Sequence, residues 1–220
     1  TDHLRTTCHD PRLMARIAAI HALGDVWAMG AAPQVALAQI ILPPMSDQKQ
    51  AEALAEITAE AAAVFAAAGA HVAGGHTTIG AEMTLGFTVT GLAHRPITKG
   101  GVRPGDALIL TKQIGSGTLM AAEMAQARPK GALLGEWVAG AWASMAQPMG
   151  QAAALLAPQA HAMTDVTGFG LAGHLLEMLE ASGLAATVDL SALPLMPGQA
   201  IWPQWGWQAA LPPPIARPRR

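Results

Sequence analysis

The spacing of apolar positions along the first half of the chain alternates between two periods. Met14, Ile17, Ala18, His21 and Val26 recur close to a helical repeat, so residues 11–30 read as a helix that Gly30 stops. Residues 35–42 form an apolar, β-branched run ended by Pro43-Pro44, which reads as a buried strand. Ser46 or Asp47 can cap a second helix reaching about residue 68, with Leu54, Ile57, Ala61, Val64, Phe65 and Ala68 on one face and Gly69 as its stop. Residues 71–73 are short and apolar and lead into Gly74-Gly75-His76. Between residues 83 and 92 the period becomes two: Met83, Leu85, Phe87 and Val89 on one face, Thr84, Thr88 and Thr90 on the other, the signature of a half-buried strand. Helix, strand, helix, strand, strand is a mixed α/β order rather than a helical bundle.

Residues 95–105 concentrate prolines, glycines and cations, and they read as a domain boundary. Beyond it the pattern predicts a strand at 106–111 and a helix opened by Gly115-Ser116-Gly117 to about 127. A mostly helical stretch follows at 131–157, broken near Pro148. Then come a helix at 168–181 with Leu171, Leu175, Met178 and Leu179 inward, and a strand at 185–190. After Gly198 neither period survives: Trp202, Trp205 and Trp207 crowd together, then three prolines and the arginines 217, 219 and 220. The expected organisation is an α/β domain over 1–95 and an α+β domain over 96–220, with 199–220 irregular. No internal repeat is present.

Composition narrows the function classes. The 220 residues carry a formal net charge of −2, so no global basic field exists to hold nucleic acid. The single cysteine, Cys8, excludes an intrachain disulfide framework and fits a reducing, cytoplasmic compartment. No apolar run approaches the ~20 residues needed to span a bilayer. No signal-peptide pattern opens the chain, and with no initiator Met the sequence reads as starting within a gene.

Three segments are candidates for chemistry. Asp25 stands in the otherwise apolar run 22–30. A lone carboxylate there is costly unless paired or bound to a metal, so Asp25 either meets solvent or a cation such as Arg16, or ligates a metal. In residues 163–170, Asp165 and two threonines precede glycines at a helix start. Asp165 either caps that helix or offers oxygen to a hard cation, with the glycines opening backbone N–H groups to a phosphate. Gly74-Gly75-His76-Thr77-Thr78 is either a simple connection or an anion-binding nest. A Walker loop, a zinc signature and a nucleophile elbow are all absent. Met120, Met124, Met145 and Met149 fall at helical spacings and read as core filler.

Taken in order, these blocks resemble selenophosphate synthetase (selenide, water dikinase). The resemblance runs from residue 1 to about 198. It rests on Thr1-Asp2; Asp10-Pro11 through Ala19; Ala22-Leu23-Gly24-Asp25-Val26 with Ala28-Met29-Gly30; and Ala73-Gly74-Gly75-His76-Thr77. It continues through Val89-Thr90-Gly91-Leu92, Pro104-Gly105-Asp106, Leu110-Thr111-Lys112, residues 163–170 with Gly173-His174-Leu175, and Asp189-Leu190-Ser191 with Pro194. It implies an aminoimidazole ribonucleotide synthetase-like, two-domain architecture of α/β and α+β units, the second truncated here, and a homodimer formed through the first domain's sheet. It also implies ATP-dependent synthesis of selenophosphate from selenide and water, releasing AMP and phosphate, with Mg2+ as the metal. By motif, Asp25 and Asp165 would ligate magnesium, while Asp2, Asp25, Gly75, His76 and Thr77 would lie at the ATP.

The sequence departs from that family in several places. The family's glycine-rich segment with its Cys or selenocysteine and nearby Lys is expected upstream of Thr1, as is a further acidic ligand motif, so the catalytic nucleophile is not assigned in this chain. Cys8 occupies an ordinary apolar position of the family. The acid expected shortly after Gly-Gly-His is replaced around Ile79, although Glu82 remains. The end of the family's second domain is also lacking, so the sequence reads as part of a longer enzyme. Competing readings are another ATP-using enzyme of the same fold group, such as aminoimidazole ribonucleotide synthetase or thiamine monophosphate kinase, and a non-catalytic nucleotide-binding or dimerisation module. The run 164–174 resembles the selenium enzyme more closely.

Overall fold

The computed structural model describes residues 1–127 and 134–199. The start of the helix expected from residue 131, the Trp- and Pro-rich run and the terminal arginines lie outside those residues.

Two amphipathic helices and a four-stranded sheet make the first half. The sheet comprises β1 (Asp2–Arg5), β2 (Ala32–Leu42), β3 (His71–Ile79) and β4 (Thr84–Leu92), in the order β1-β4-β2-β3. β3 runs parallel to β2, and β4 runs antiparallel to both β2 and β1. α1 (Pro11–Ala28) begins where the Asp10 carboxylate accepts from the N–H groups of Arg12 and Leu13, with Pro11 at a position that needs no donor. α2 (Asp47–Ala67) is capped by Ser46 and supplies the crossover that a parallel β2–β3 pair requires. Gly30 and Gly69 end the two helices at φ values of 64° and 81°, the left-handed region where glycine meets no Cβ penalty.

Both helices pack on one face of the sheet. Met14, Ala18 and Leu23 of α1 and Ile57 and Phe65 of α2 close over Ala36, Ile40 and Leu42 of β2 and Leu85 and Phe87 of β4. Phe65 and Phe87 meet edge to face at 5.2 Å. The other face of the sheet has no covering element among the described residues: Leu37 is 50% exposed, and Thr88 and Thr90 are exposed too. The run 35–42 is therefore half-buried rather than enclosed on both sides, because every second side chain projects away from the helices.

A smaller core lies in the second half. α3 (Ser116–Met124) and α4 (Leu134–Met145) bury Leu119, Met120, Ala122, Val138 and Ala141 with Met196. α5 (Gly150–Leu156) follows the break at Pro148, and α6 (Gly170–Ser182) ends in a left-handed Gly183. Leu171, Leu175, Met178 and Leu179 are only partly covered, and the buried residue of α6 is His174.

Two expected strands are not formed. Residues 106–111 are not a strand: Asp106 closes a turn on Arg103, and Leu108 and Ile109 stay 50% and 64% exposed. Residues 185–190 are not one either, and they lead into a single 3-10 turn at Leu190–Ala192 capped by Asp189. Apolar runs suited to a strand remain irregular without a partner to complete the ladder. β1, conversely, is too short and polar to be read from period, and it exists because β4 pairs with it.

Candidate functional site

Asp25 lies on α1 one turn beyond His21, so the two side chains share a face. β1 brings Asp2 to that face: its carboxylate hydrogen-bonds with Asp25, and His21 Nε2 stands 3.8 Å from Asp2 Oδ1. Partial burial, and after it the hydrogen bond and charge of Asp2, push the Asp25 carboxyl above the usual carboxylate range. Solvent still reaches Asp25, so the desolvation is incomplete. Arg16 does not relieve the pair. Its guanidinium is spent on Glu60 at 3.0 Å and on the carbonyl of Ala146 at 3.2 Å.

The second segment meets the first at Gly24. A Cβ placed on Gly24 would lie 3.8 Å from Asp165 Oδ2, so the Asp165 carboxylate rests against α1 immediately beside Asp25 in sequence. Asp165 does not cap α6: the N-cap position is Phe169, and no side chain accepts from the first turn. Of the two readings left open by the sequence, helix capping is thereby removed. Thr167 instead turns its hydroxyl to His174 Nε2 at 3.2 Å.

Asp2, Asp25 and Asp165 thus surround the middle and end of α1. Among the described residues no group of three His, Cys, Asp or Glu side chains already stands as a metal-binding cluster. The donor set nevertheless suits magnesium. These are hard carboxylate oxygens, two of them held close enough to share a proton, and Mg2+ characteristically takes one or two carboxylates and completes its shell with water and phosphate oxygens. A divalent cation would replace the shared proton and offset the burial and the Asp2 charge that raise the Asp25 pKa.

Gly75, His76 and Thr77 lie elsewhere. They sit within β3, paired to Ala38, Gln39 and Ile40, not in a turn between strands. On a strand, His76 projects to the face opposite Gly75 and Thr77, so the three side chains do not converge. Gly75 has a packing reason to be glycine: a Cβ there would come within 2.2 Å of the Ala38 carbonyl oxygen. β3 and β1 occupy opposite edges of the sheet, about 14 Å apart at three interstrand spacings. Within one chain Asp2 and the Gly-Gly-His-Thr run are not neighbours.

Several polar residues around the acids carried no assigned role in the sequence. Lys99 bonds Glu177 at 2.5 Å, Glu177 lies 3.5 Å from His174 Nδ1, and Asp106 holds His161 at 2.9 Å. Lys112 donates to the carbonyls of Ser144 and Gln147 at the end of α4, and burial lowers its pKa. Their available signal was position: Asp106, Lys112 and His174 fall in motif blocks, and His21 was counted only as a member of a helical face. Glu82, the acid remaining near the Gly-Gly-His run, is bonded to Arg5 at 2.6 Å on β1.

Comparison with known proteins places both halves. The N-terminal domain profile of "AIR synthase related protein" matches residues 1–93, and the corresponding C-terminal domain profile matches residues 103–209. The chain is 42% identical over 198 residues to the selenide, water dikinase of Rhizobium meliloti (strain 1021), covering 89% of this chain and 55% of that protein. The chain spans about half the length of the curated relatives it matches. In three dimensions it resembles thiamine monophosphate kinase from Aquifex aeolicus, with a TM-score of 0.66 and 17% identity over 83% of this chain and 62% of that one. It also resembles AaThiL complexed with AMPPCP and TMP, at TM-score 0.68 and 17% identity over 83% of this chain and 59% of that one. These two likenesses show the fold.

Proposed function

The chain belongs to the AIR synthase related protein family, matching its N- and C-terminal domains in order, and on that premise we propose that it forms the nucleotide- and metal-binding part of a selenophosphate-forming, ATP-dependent phosphotransferase. The observation that carries this reading is the 42% identity to a selenide, water dikinase, maintained over 198 residues. The site geometry supports it. Asp2 and Asp25, which interact with each other, and Asp165, which lies against Gly24 next to Asp25, would hold a magnesium ion bound to nucleotide phosphates. When bound, Mg2+ would neutralise the charge of the triphosphate and orient its reacting phosphoryl group. The chain's own residues bring the acids: β1 carries Asp2, α1 carries Asp25, and Asp165 lies against α1 at Gly24. A bound nucleotide analogue in a protein of the same fold, AaThiL with AMPPCP, supports ATP as the ligand.

The proposed reaction joins ATP, selenide and water to give selenophosphate, AMP and phosphate. The proposed assembly is a homodimer. Its support is the uncovered face of the sheet, bearing Leu37, Thr88 and Thr90, and the exposed edge strand β3. A dimer through the sheet also offers the arrangement by which Gly75, His76 and Thr77 of one chain reach a nucleotide held by the acids of another. The proposed compartment is the cytoplasm, supported by the single cysteine. Among the described residues no helix is long and apolar enough to cross a membrane.

The deciding experiment incubates the full-length protein with ATP and selenide and follows AMP and selenophosphate by phosphorus NMR. Selenide-dependent formation of both supports the reading. ATP turnover that ignores selenide, or transfer to thiamine monophosphate instead, overturns it.

A further inference from the structure

The segment 161–167 presents Asp165 to α1, yet among the described residues nothing hydrogen-bonds the Asp165 carboxylate; only its backbone carbonyl accepts, from Thr164 Oγ1 at 3.2 Å. What fixes the segment lies on either side. At its start, His161 Nδ1 meets both carboxylate oxygens of Asp106, at 2.9 and 3.0 Å, and the His161 carbonyl lies so close to Gly101 that a Cβ there would approach to 2.6 Å. Two residues on, the Met163 N–H points to the Thr98 carbonyl at 3.4 Å. At its end, Thr167 Oγ1 meets His174 Nε2 at 3.2 Å. His174 is 5% exposed and is the one buried polar or charged residue among those described. Its ring lies 5.7 Å from that of Phe169, and its Nδ1 lies 3.5 Å from Glu177 Oε2 without a hydrogen bond to it or to any other described residue. Lys99 anchors Glu177 in turn.

A histidine buried on a helix is ordinarily costly unless its polar atoms are used. Here Nε2 is used, by Thr167, while Nδ1 stays unbonded and faces only the Glu177 carboxylate. A proton on Nδ1 faces the Glu177 carboxylate, which leaves Nε2 as an acceptor for the Thr167 hydroxyl. The chain Lys99–Glu177–His174–Thr167 therefore runs from the segment after β4, across α6, to a point two residues from Asp165.

We propose that His174 is a positioning residue for the metal site, holding Asp165 against Gly24 through its bond to Thr167. The inference rests on the reading of Asp165 as a magnesium ligand. His174 is too deeply covered to touch a nucleotide, so its contribution is geometric: it keeps the carboxylate within reach of the ion that Asp25 also contacts. Partners that orient a ligand are commonly worth a large part of the affinity of the ligand itself.

The test measures, in the full chain, binding of AMPPCP by calorimetry as a function of Mg2+ concentration, with circular dichroism to establish folding. His174→Leu is expected to raise the Mg2+ concentration for half-saturation by about tenfold, while weak binding of Mg2+-free AMPPCP is unchanged. His174→Gln, whose amide reaches the Nε2 position, restores most of the loss. Thr167→Val matches His174→Leu, and the double variant is no worse than either single one. A folded His174→Leu with wild-type Mg2+ dependence overturns the proposal. Should that variant fail to fold, folded Thr167→Val with wild-type Mg2+ dependence does the same. Asp165→Asn separates the two levels. If it leaves Mg2+ dependence unchanged, the ligand reading itself falls; if it weakens binding while His174→Leu and Thr167→Val do not, only the positioning role falls.

Discussion

Replacing Asp25 by asparagine should stabilise the metal-free protein while impairing its use of magnesium. Asp25 is held beside Asp2 by a hydrogen bond that needs a proton, and burial together with Asp2 raises its carboxyl pKa. An acid whose folded pKa lies above its unfolded value binds protons more tightly in the folded state. Its contribution to stability is therefore greatest at acid pH and is lost as pH climbs from the ordinary carboxylate value through the raised one. At neutral pH the folded site confines two negative charges. At roughly 4 Å in water-like surroundings their repulsion is about 1 kcal/mol. Asp25 is open to solvent, so the usable figure is discounted to about 0.5–1 kcal/mol. For a chain of this size that corresponds to a Tm higher by about 1–4 °C in the asparagine variant. Thermal unfolding should be followed by circular dichroism in EDTA. Wild type and variant should converge as pH falls below the ordinary carboxylate value, where the acid is protonated in both folded and unfolded states, and separate as pH rises through the raised value. Saturating Mg2+ and AMPPCP should then reverse the order, because ligand at about a hundredfold its Kd adds about 2.7 kcal/mol to the form that binds it. A variant less stable than wild type in EDTA at alkaline pH, or one stabilised equally by Mg2+ and AMPPCP, would refute the pairing of Asp2 with Asp25.

Gly75→Ala should cost about 1–3 kcal/mol in urea unfolding, because its Cβ would run into the Ala38 carbonyl oxygen across the β2–β3 ladder; an unchanged midpoint would show that glycine is there for another reason. Asp10→Ala should lower stability by about 1 kcal/mol through loss of the cap on α1, and an unaltered thermal transition would contradict that cap. The Cys8 thiol is 3% exposed, and burial pushes its pKa up. A thiol-directed reagent should therefore label the native protein slowly and the urea-unfolded protein fast, and equal rates would place Cys8 at the surface.

The parts of the fold legible in the sequence were those decided locally. α1, α2 and β4 announce themselves through repeating apolar positions and through Ser46, Gly30 and Gly69 at their ends. A strand, by contrast, is a relation between two segments. β1 was invisible until β4 supplied its partner, and residues 106–111 and 185–190 kept strand-like composition without gaining a ladder. The site divides along the same line. That Asp25 needed company follows from one acid in an apolar run, but its company is Asp2, supplied across the β1–β4 pairing, and not the nearby Arg16. Asp165 was ambiguous between cap and ligand because both uses favour an acid before a helix; only the helix start at Gly170 decides against the cap. The Gly-Gly-His-Thr run reads as a connection or an anion-binding nest because glycine pairs punctuate turns, whereas here Gly75 serves close approach of two parallel strands.

The glycine- and proline-rich stretch after β4 has a consequence for engineering. It lies between the two matched domain profiles, which end at residue 93 and resume at 103, and such a seam would ordinarily be the first choice for inserting a tag, a linker or a cut. Its backbone is not loose. Ile97 donates to the Met29 carbonyl at 3.0 Å and lodges over Gly30, where a Cβ would come within 2.9 Å of its side chain. The N–H groups of Gly101 and Val102 both end on Ser182 Oγ. Insertions are tolerated where backbone is exposed and unbonded, and here added residues would pull Ile97 from its seat and release the contacts at Thr98 and Gly101 that border the Asp165 segment. Splitting or lengthening the chain at this seam should therefore uncouple the acids from one another before it unfolds either half, so a permuted or split version of this chain is better opened elsewhere.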